Sequence, residues 1–138
     1  MLKIIDGATH TLIVENEEMS DSTIVFALQA QCMLGVQVQI AMVADSSYDT
    51  NFASLVSSGC KVVTVPNTTG AFYIHAKAVV ADYGLAGQAA YMGSINYSTA
   101  SISQNRELGI FIQDQPSIDQ LYQVMQADFS NPLATPYP

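Results

Sequence analysis

A histidine and a lysine stand two residues apart, His75 and Lys77, in the run FYIHAKAVVA. The aromatic and β-branched content of residues 72–81 predicts a strand or a strand pair, in which side chains two apart share a face. His75, Lys77 and Val79 then point one way, and Ile74, Ala76, Ala78 and Val80 the other, toward a core. Like charges side by side disfavour both being protonated, so the pair reads as a neutral imidazole beside a fixed cation. That combination suits attack on a phosphorus whose oxygens carry negative charge. Taken alone, the pair is a weak signal that most often marks a solvated strand face, and an isolated His75 reads as a satisfied core histidine.

Further polar residues follow in order: Asp82, then Gly93-Ser94-Ile95-Asn96, then Asn105-Arg106-Glu107. Ser94 is a poor hydrolase nucleophile, because GSIN is not a GxSxG elbow and no second histidine is suitably placed. Asn96 has the residue type to cap the 97–104 segment. Glu17 and Glu18 end a strand and could face the same site, but read as a solvated pair. His10, at a helix–strand junction, reads as incidental. Cys32 and Cys60 lie in apolar surroundings without CxxC or clustered Cys/His spacing, so free buried thiols are expected rather than a disulfide or a metal pair. No metal or other cofactor is expected.

These residues need elements to hold them. Leu2, Ile4, Ile5 and Ala8 have helical spacing, and residues 11–14 read as a strand. Ser20 or Asp21 caps a helix through TIVFALQAQCML that stops at Gly35. Strands follow at 36–43 and 61–65, separated by a short helix from Asp49 or Thr50 to Gly59. Residues 66–70 form a loop, Gly84 and Gly87 mark a turn, AAYM is a short strand, GSINYSTAS a polar loop and 107–112 a strand. Pro116 suits the first turn of a final helix, and residues 132–138 are a Pro-containing tail. The alternation predicts one α/β domain over residues 1–138, a mixed, largely parallel sheet sandwiched by helices.

Of 138 residues, 49% are hydrophobic and 12% charged, and the net charge is −8. Such a balance opposes a broad basic surface for nucleic acid, yet leaves room for a local pocket for one phosphate. Lys3, Lys61, Lys77 and Arg106 are the cations. Their scarcity makes a lysine beside a histidine informative. No run of about 18 apolar residues predicts a transmembrane helix, and the N-terminus lacks signal-peptide regions.

The run His75-x-Lys77-x-x-x-x-Asp82, followed by Gly93-Ser94-Ile95-Asn96 and Glu107, resembles the HxKxxxxD…GSxN signature of the phospholipase D superfamily. The segment LIVENEEMSDSTIVFALQAQCMLGVQVQIAMVAD resembles the strand–helix–strand that precedes it, so the resemblance covers residues 2–129. It implies metal-independent phosphodiester chemistry through a phosphohistidine. By position, His75 is nucleophile or general acid, and Lys77 and Asn96 hold non-bridging phosphoryl oxygens, with Ser94 near them. Glu107 resembles the carboxylate that orients a catalytic imidazole, while Asp82 and Gly93 are structural. One departure is the spacing of ten residues between Asp82 and Gly93, where six is usual. The enlarged turn at Tyr83–Ala90 absorbs it, but could reshape the pocket rim.

The implied reaction needs two histidines, and this chain has one such motif. The expected partner is a second half from the same parent chain or a second copy in a homodimer. The start in a helix and the ENEEMSD segment resemble the C-terminal half of a two-motif protein. The expected activity is that of a cardiolipin-synthase-like phosphodiesterase or phosphatidyl transferase acting on phospholipid, inactive as an isolated monomeric half. The alternatives are a homodimeric endonuclease of the same superfamily and a catalytically silent interaction domain. The compartment is left open; a membrane-associated or exported parent protein fits the same features.

Overall fold

A computed structural model describes residues 1–68 and 72–138. Helix α1 (Leu2–Gly7) leads through strand β1 (Thr11–Glu15) and α2 (Ser22–Met33) to β2 (Gln37–Val43). Asp21 starts α2 by accepting from the backbone N–H groups of Thr23 and Ile24, the satisfaction of free donors that an N-cap provides. Gly35 follows its end with φ +90°, a conformation that favours glycine. A 3₁₀ turn at Ser46–Tyr48 and α3 (Asp49–Ser57) then bring the chain to β3 (Lys61–Val65). After β4 (Ala78–Ala81) and β5 (Ala89–Gly93) come α4 (Thr99–Ser103), β6 (Gly109–Ile112), α5 (Gln115–Phe129) and β7 (Thr135–Pro136).

The strands form one sheet in the order β6-β5-β4-β1-β2-β3-β7. The expected mixed sheet sandwiched by helices is what forms, but the balance within it differs from a largely parallel one. Only β1–β2 and β2–β3 pair parallel, through the α2 and α3 crossovers, and the other four pairings are antiparallel. The short turn over 82–88 makes β4 and β5 a hairpin-like pair, and the chain returns through α4 to set β6 antiparallel beside β5.

Alternation along β1 divides the core. Leu12 and Val14 join Ile24, Leu28, Phe52 and Leu55 on the α1–α3 face. Ile13 faces the other way, with Ile118 and Met125 of α5. A third cluster gathers Ala41, Val43, Val63, Val65 and Ile74.

Several expectations need correction. Regular strand occupies only Ala78–Ala81 of the 72–81 run, and residues 72–77 are irregular. Ala76 is exposed, while Lys77 and Val79 are buried, so the two-face division fails there. Both faces of β4 are covered, and a fully covered strand cannot alternate. The tail supplies β7, which adds antiparallel to β3. The loop expected at 66–70 is irregular over 66–68, and its last two residues lie outside the described ones. Cys32 and Cys60 form a disulfide, with Cα atoms 5.4 Å apart. The last turn of α2 and the start of β3 meet because α2 and α3 pack together on one face, a proximity that sequence spacing does not carry.

Candidate active site

The parallel strands end at Glu15, Val43 and Val65, and the register places the start of β4, the end of β5 and the start of β6 at that same end of the sheet. Loops beyond the carboxyl ends of parallel strands are where α/β folds place ligands. His75 and Lys77 reach this end on the irregular segment before β4. Ile74, 2% exposed, pins that segment in the third core cluster. The Lys77 carbonyl accepts from the Gly93 N–H at 3.0 Å, tying the segment to β5.

Four donors converge on Glu17. Lys77 Nζ lies 2.9 Å from Glu17 Oε2, and His75 Nε2 lies 3.1 Å from the same oxygen. Asn96 Nδ2 stands 3.5 Å from it, and Tyr73 OH donates to Oε1 at 2.8 Å. Lys77 is 8% exposed and donates a further bond to the His75 carbonyl at 2.9 Å. Burial alone would push the Glu17 carboxyl up. The Lys77 and Tyr73 hydrogen bonds, with the charges of Lys77 and His75, outweigh it and hold the group below the usual carboxylate range. Glu17 is therefore a carboxylate at neutral pH, and the expected solvated Glu17–Glu18 pair is corrected, since Glu17 is held by Lys77, Tyr73 and Asn96.

Asn96 is placed from beneath. Asn16, fully buried directly after β1, donates to the Ile95 carbonyl at 3.1 Å and accepts from the Tyr97 N–H at 3.0 Å. The Tyr97 carbonyl accepts from Ser20 and Asp21, both at 2.8 Å, and the Tyr97 ring is sunk in the core. Ser98, rather than Asn96, caps α4. The Asn96 side chain is thus free of capping work, and among the described residues its buried Oδ1 has no partner.

A second cluster adjoins the first. The Glu107 carboxylate accepts from the Ser94 and Ser101 hydroxyls and, at 3.3 Å, from Asn105 Nδ2. The Ser101 and Ser94 bonds, then that of Asn105 and the charge of Lys77, hold Glu107 below its ordinary range against a smaller opposing effect of desolvation. Among the described residues Glu107 makes no hydrogen bond to His75. Gly93 and Gly109 face each other across β5 and β6, and the Tyr91 side chain lies over both. A Cβ at either position would collide with it, so the glycines are steric requirements.

Asp82 sits at the opposite end of β4. At φ +51°, it accepts from the backbone N–H groups of Thr9, His10 and Thr11 and from the Thr9 hydroxyl. It locks the start of β1. The enlarged turn after it lies at this far end as well, so it does not form the rim of the site. His10 is exposed, its ring bonded to Thr9. Sequence reasoning missed Asn16, Tyr73 and Tyr97, and set Glu17 aside as solvated although it could face the site. Their signal was positional: two of them directly follow the carboxyl end of β1.

Comparison with known proteins decides the family. The family described as "Cardiolipin synthase, PLD-like domain" matches residues 1–131. The chain belongs to the phospholipase D superfamily. Phospholipase D Z of Dictyostelium discoideum is 34% identical over 88 residues, 61% of this chain and 20% of that protein. The chain thus spans about a fifth of the length of this curated relative. Nuc, a phospholipase D family member from Salmonella typhimurium, superposes with TM-score 0.83 at 20% identity, covering 99% of this chain and 87% of that one. NucT from Helicobacter pylori gives 0.78 at 16% identity, covering 98% and 87%. These two structural likenesses bear on the fold.

Proposed function

We propose that this phospholipase D-like domain supplies one half-site of a phosphodiesterase or phosphatidyl transferase that works through a phosphohistidine. The observation that carries the reading is the convergence of His75 Nε2, Lys77 Nζ and Asn96 Nδ2 on one anionic oxygen, Glu17 Oε2. An oxygen held by two nitrogens at about 3 Å and approached by a third stands where a non-bridging phosphoryl oxygen would sit. Lys77 is well suited to the role, because a buried ammonium binds an anion in surroundings where water competes poorly.

In the reaction one imidazole attacks phosphorus, forming an N–P bond as the P–O bond to the leaving alcohol breaks. A second imidazole gives that alkoxide its proton. Water or another alcohol, deprotonated by the second imidazole, then displaces the phosphoryl group from nitrogen. His75 fills one of these two roles, and a second half of similar fold brings the other. Glu107, bonded to Ser94 and Ser101 rather than to His75, is placed to orient that second imidazole.

Phospholipid is favoured over nucleic acid. With net charge −8, and Glu17, Glu18 and Asp45 beside one cavity at the site, the surroundings oppose a polyanion while one phosphodiester needs only the local cradle. The test is turnover of phosphatidylglycerol micelles and plasmid nicking in the presence of EDTA, by the chain paired with its second half or self-paired. His75→Asn and Lys77→Met are each expected to lower lipid turnover by about 10²-fold or more. Full activity in His75→Asn, or loss of wild-type activity to chelator, would count against the reading; preferential nicking would move it to the nuclease.

A further inference from the structure

Glu17 occupies the place that substrate must take. An in-line approach brings phosphorus to roughly 3–3.5 Å from the attacking nitrogen. In this structure Glu17 Oε2 lies 3.1 Å from His75 Nε2 and 2.9 Å from Lys77 Nζ. The carboxylate and a reacting phosphoryl group cannot share that space, and their like charges repel.

We propose that Glu17 is a resident competitor for the phosphoryl cradle, a carboxylate that must swing aside before a phosphodiester reaches His75. The inference rests on the phosphoryl-binding reading of His75, Lys77 and Asn96. Three features support a swing of the side chain rather than a rearrangement of the loop. The backbone on either side is fixed: Asn16 Oδ1 accepts from the Glu18 N–H at 3.2 Å, and Met19 bridges to Tyr97. The Glu17 side chain is 24% exposed, so it has a route to water. Its hold is also incomplete. Asn96 Nδ2 stands 3.5 Å away, at the outer limit of a hydrogen bond, so this donor is poorly used by the carboxylate. A tetrahedral oxyanion presents oxygens in several directions and can engage donors that a planar carboxylate reaches poorly.

Glu17 therefore keeps the Lys77 ammonium paired and the His75 ring covered, and it selects for ligands that outbid one carboxylate. Its effect appears in binding, before any chemistry. Glu18 is the matched control: it lies next in sequence and lines the adjoining cavity with Asp45 and Tyr48, but makes no hydrogen bond or ion pair to His75 or Lys77.

The experiment is calorimetric titration of the full chain with tungstate, a tetrahedral oxyanion, at neutral pH and fixed ionic strength. Glu17→Gln and Glu17→Ala are each expected to bind tungstate about ten-fold more tightly than the wild type, and Glu18→Gln within two-fold of it. Adding Lys77→Met to Glu17→Gln should abolish the gain. Equal or weaker binding by both Glu17 variants would overturn the competitor role while leaving the cradle standing. So would an equal gain in Glu18→Gln, which would make the effect one of general charge. Tungstate bound by none of these chains would overturn the cradle itself, and the competitor with it.

Discussion

Asn16 makes three hydrogen bonds without any exposure to solvent, and through them β1 holds the loop that carries Asn96. Its amide donates to one carbonyl and its oxygen accepts from two N–H groups, a division that only an amide of this length satisfies. Replacing it by leucine strands those backbone groups in the interior, where each unsatisfied group costs about 1–3 kcal/mol. Asn16→Leu is expected to lose roughly 3 kcal/mol of stability in urea melts and, in the fraction that stays folded, to weaken tungstate binding by loosening Asn96. Stability within 0.5 kcal/mol of wild type would refute this account, since about that scatter attends ordinary surface changes. At this scale the sequence was legible where chemistry sits in one motif. His75, Lys77 and Asn96 were singled out and do meet around one oxygen. Glu17 was named but set aside as solvated, because its partners come from segments 60 and 79 residues away, and nothing local marks a carboxylate held by a distant lysine and amide.

Elements were read well where caps and glycines punctuate them, and poorly where tertiary contacts override pattern. Asp21, Gly35, Gly59 and Pro116 bound α2, α3 and α5 much as their types predict. The apolar run 72–81 promised a longer strand, yet β1 and β5 offer partners to its last four residues only. Pairing, rather than propensity, set its length. The pairing of β1 with α5 also hides a carboxyl pair that periodicity alone does not foretell. Glu15, 1% exposed, takes the β1 face that Ile13 turns to α5 and meets Asp128 of that helix. Burial, then the charge and hydrogen bond of Asp128, push Glu15 up from 4.5 to about 8. Asp128 is itself raised by burial, with the Glu15 hydrogen bond pulling the other way. The folded chain therefore keeps a proton on Glu15 that the unfolded chain releases above pH 4.5. Its stabilising share is complete below that pH and declines as pH rises toward about 8. Urea midpoints measured from pH 5 to 8.5 should fall for the wild type. Glu15→Gln, which cannot ionise, should flatten that fall and be on the order of 2 kcal/mol more stable than wild type at the alkaline end. Parallel pH profiles for the two proteins would remove Glu15 as the cause.

The whole molecule leaves apolar surface uncovered at one margin of its sheet. β6 is the outer strand on that side, and Leu108, Ile110 and Phe111 are 80%, 55% and 64% exposed. Ile110 and Phe111, with Met92 and Val124, border a cleft of about 480 Å³ between β6 and α5. An exposed edge strand bearing large apolar side chains invites pairing, and monomeric domains usually blunt such edges with charge. Glu107 and Leu108 lead directly into that edge, so a body seated on it would lie beside the cluster that Glu107 forms with Ser94 and Ser101. Under the proposed two-imidazole reaction the occupant is a second half of the same fold, whose imidazole would arrive next to Glu107. The net charge of −8 works against self-association, so apolar contact must dominate wherever two copies meet. Ile110→Lys with Phe111→Lys tests this arrangement, because both side chains are already in water and their replacement leaves the core intact. The double variant is expected to sediment as a monomer, to bind tungstate as the wild type does, and to lose at least 10²-fold in lipid turnover. The threshold is the cost of removing one essential catalytic group. A monomeric double variant with undiminished turnover would mean that His75 works without a second half on this face. Unchanged assembly with lost turnover would place the joining surface elsewhere on the molecule.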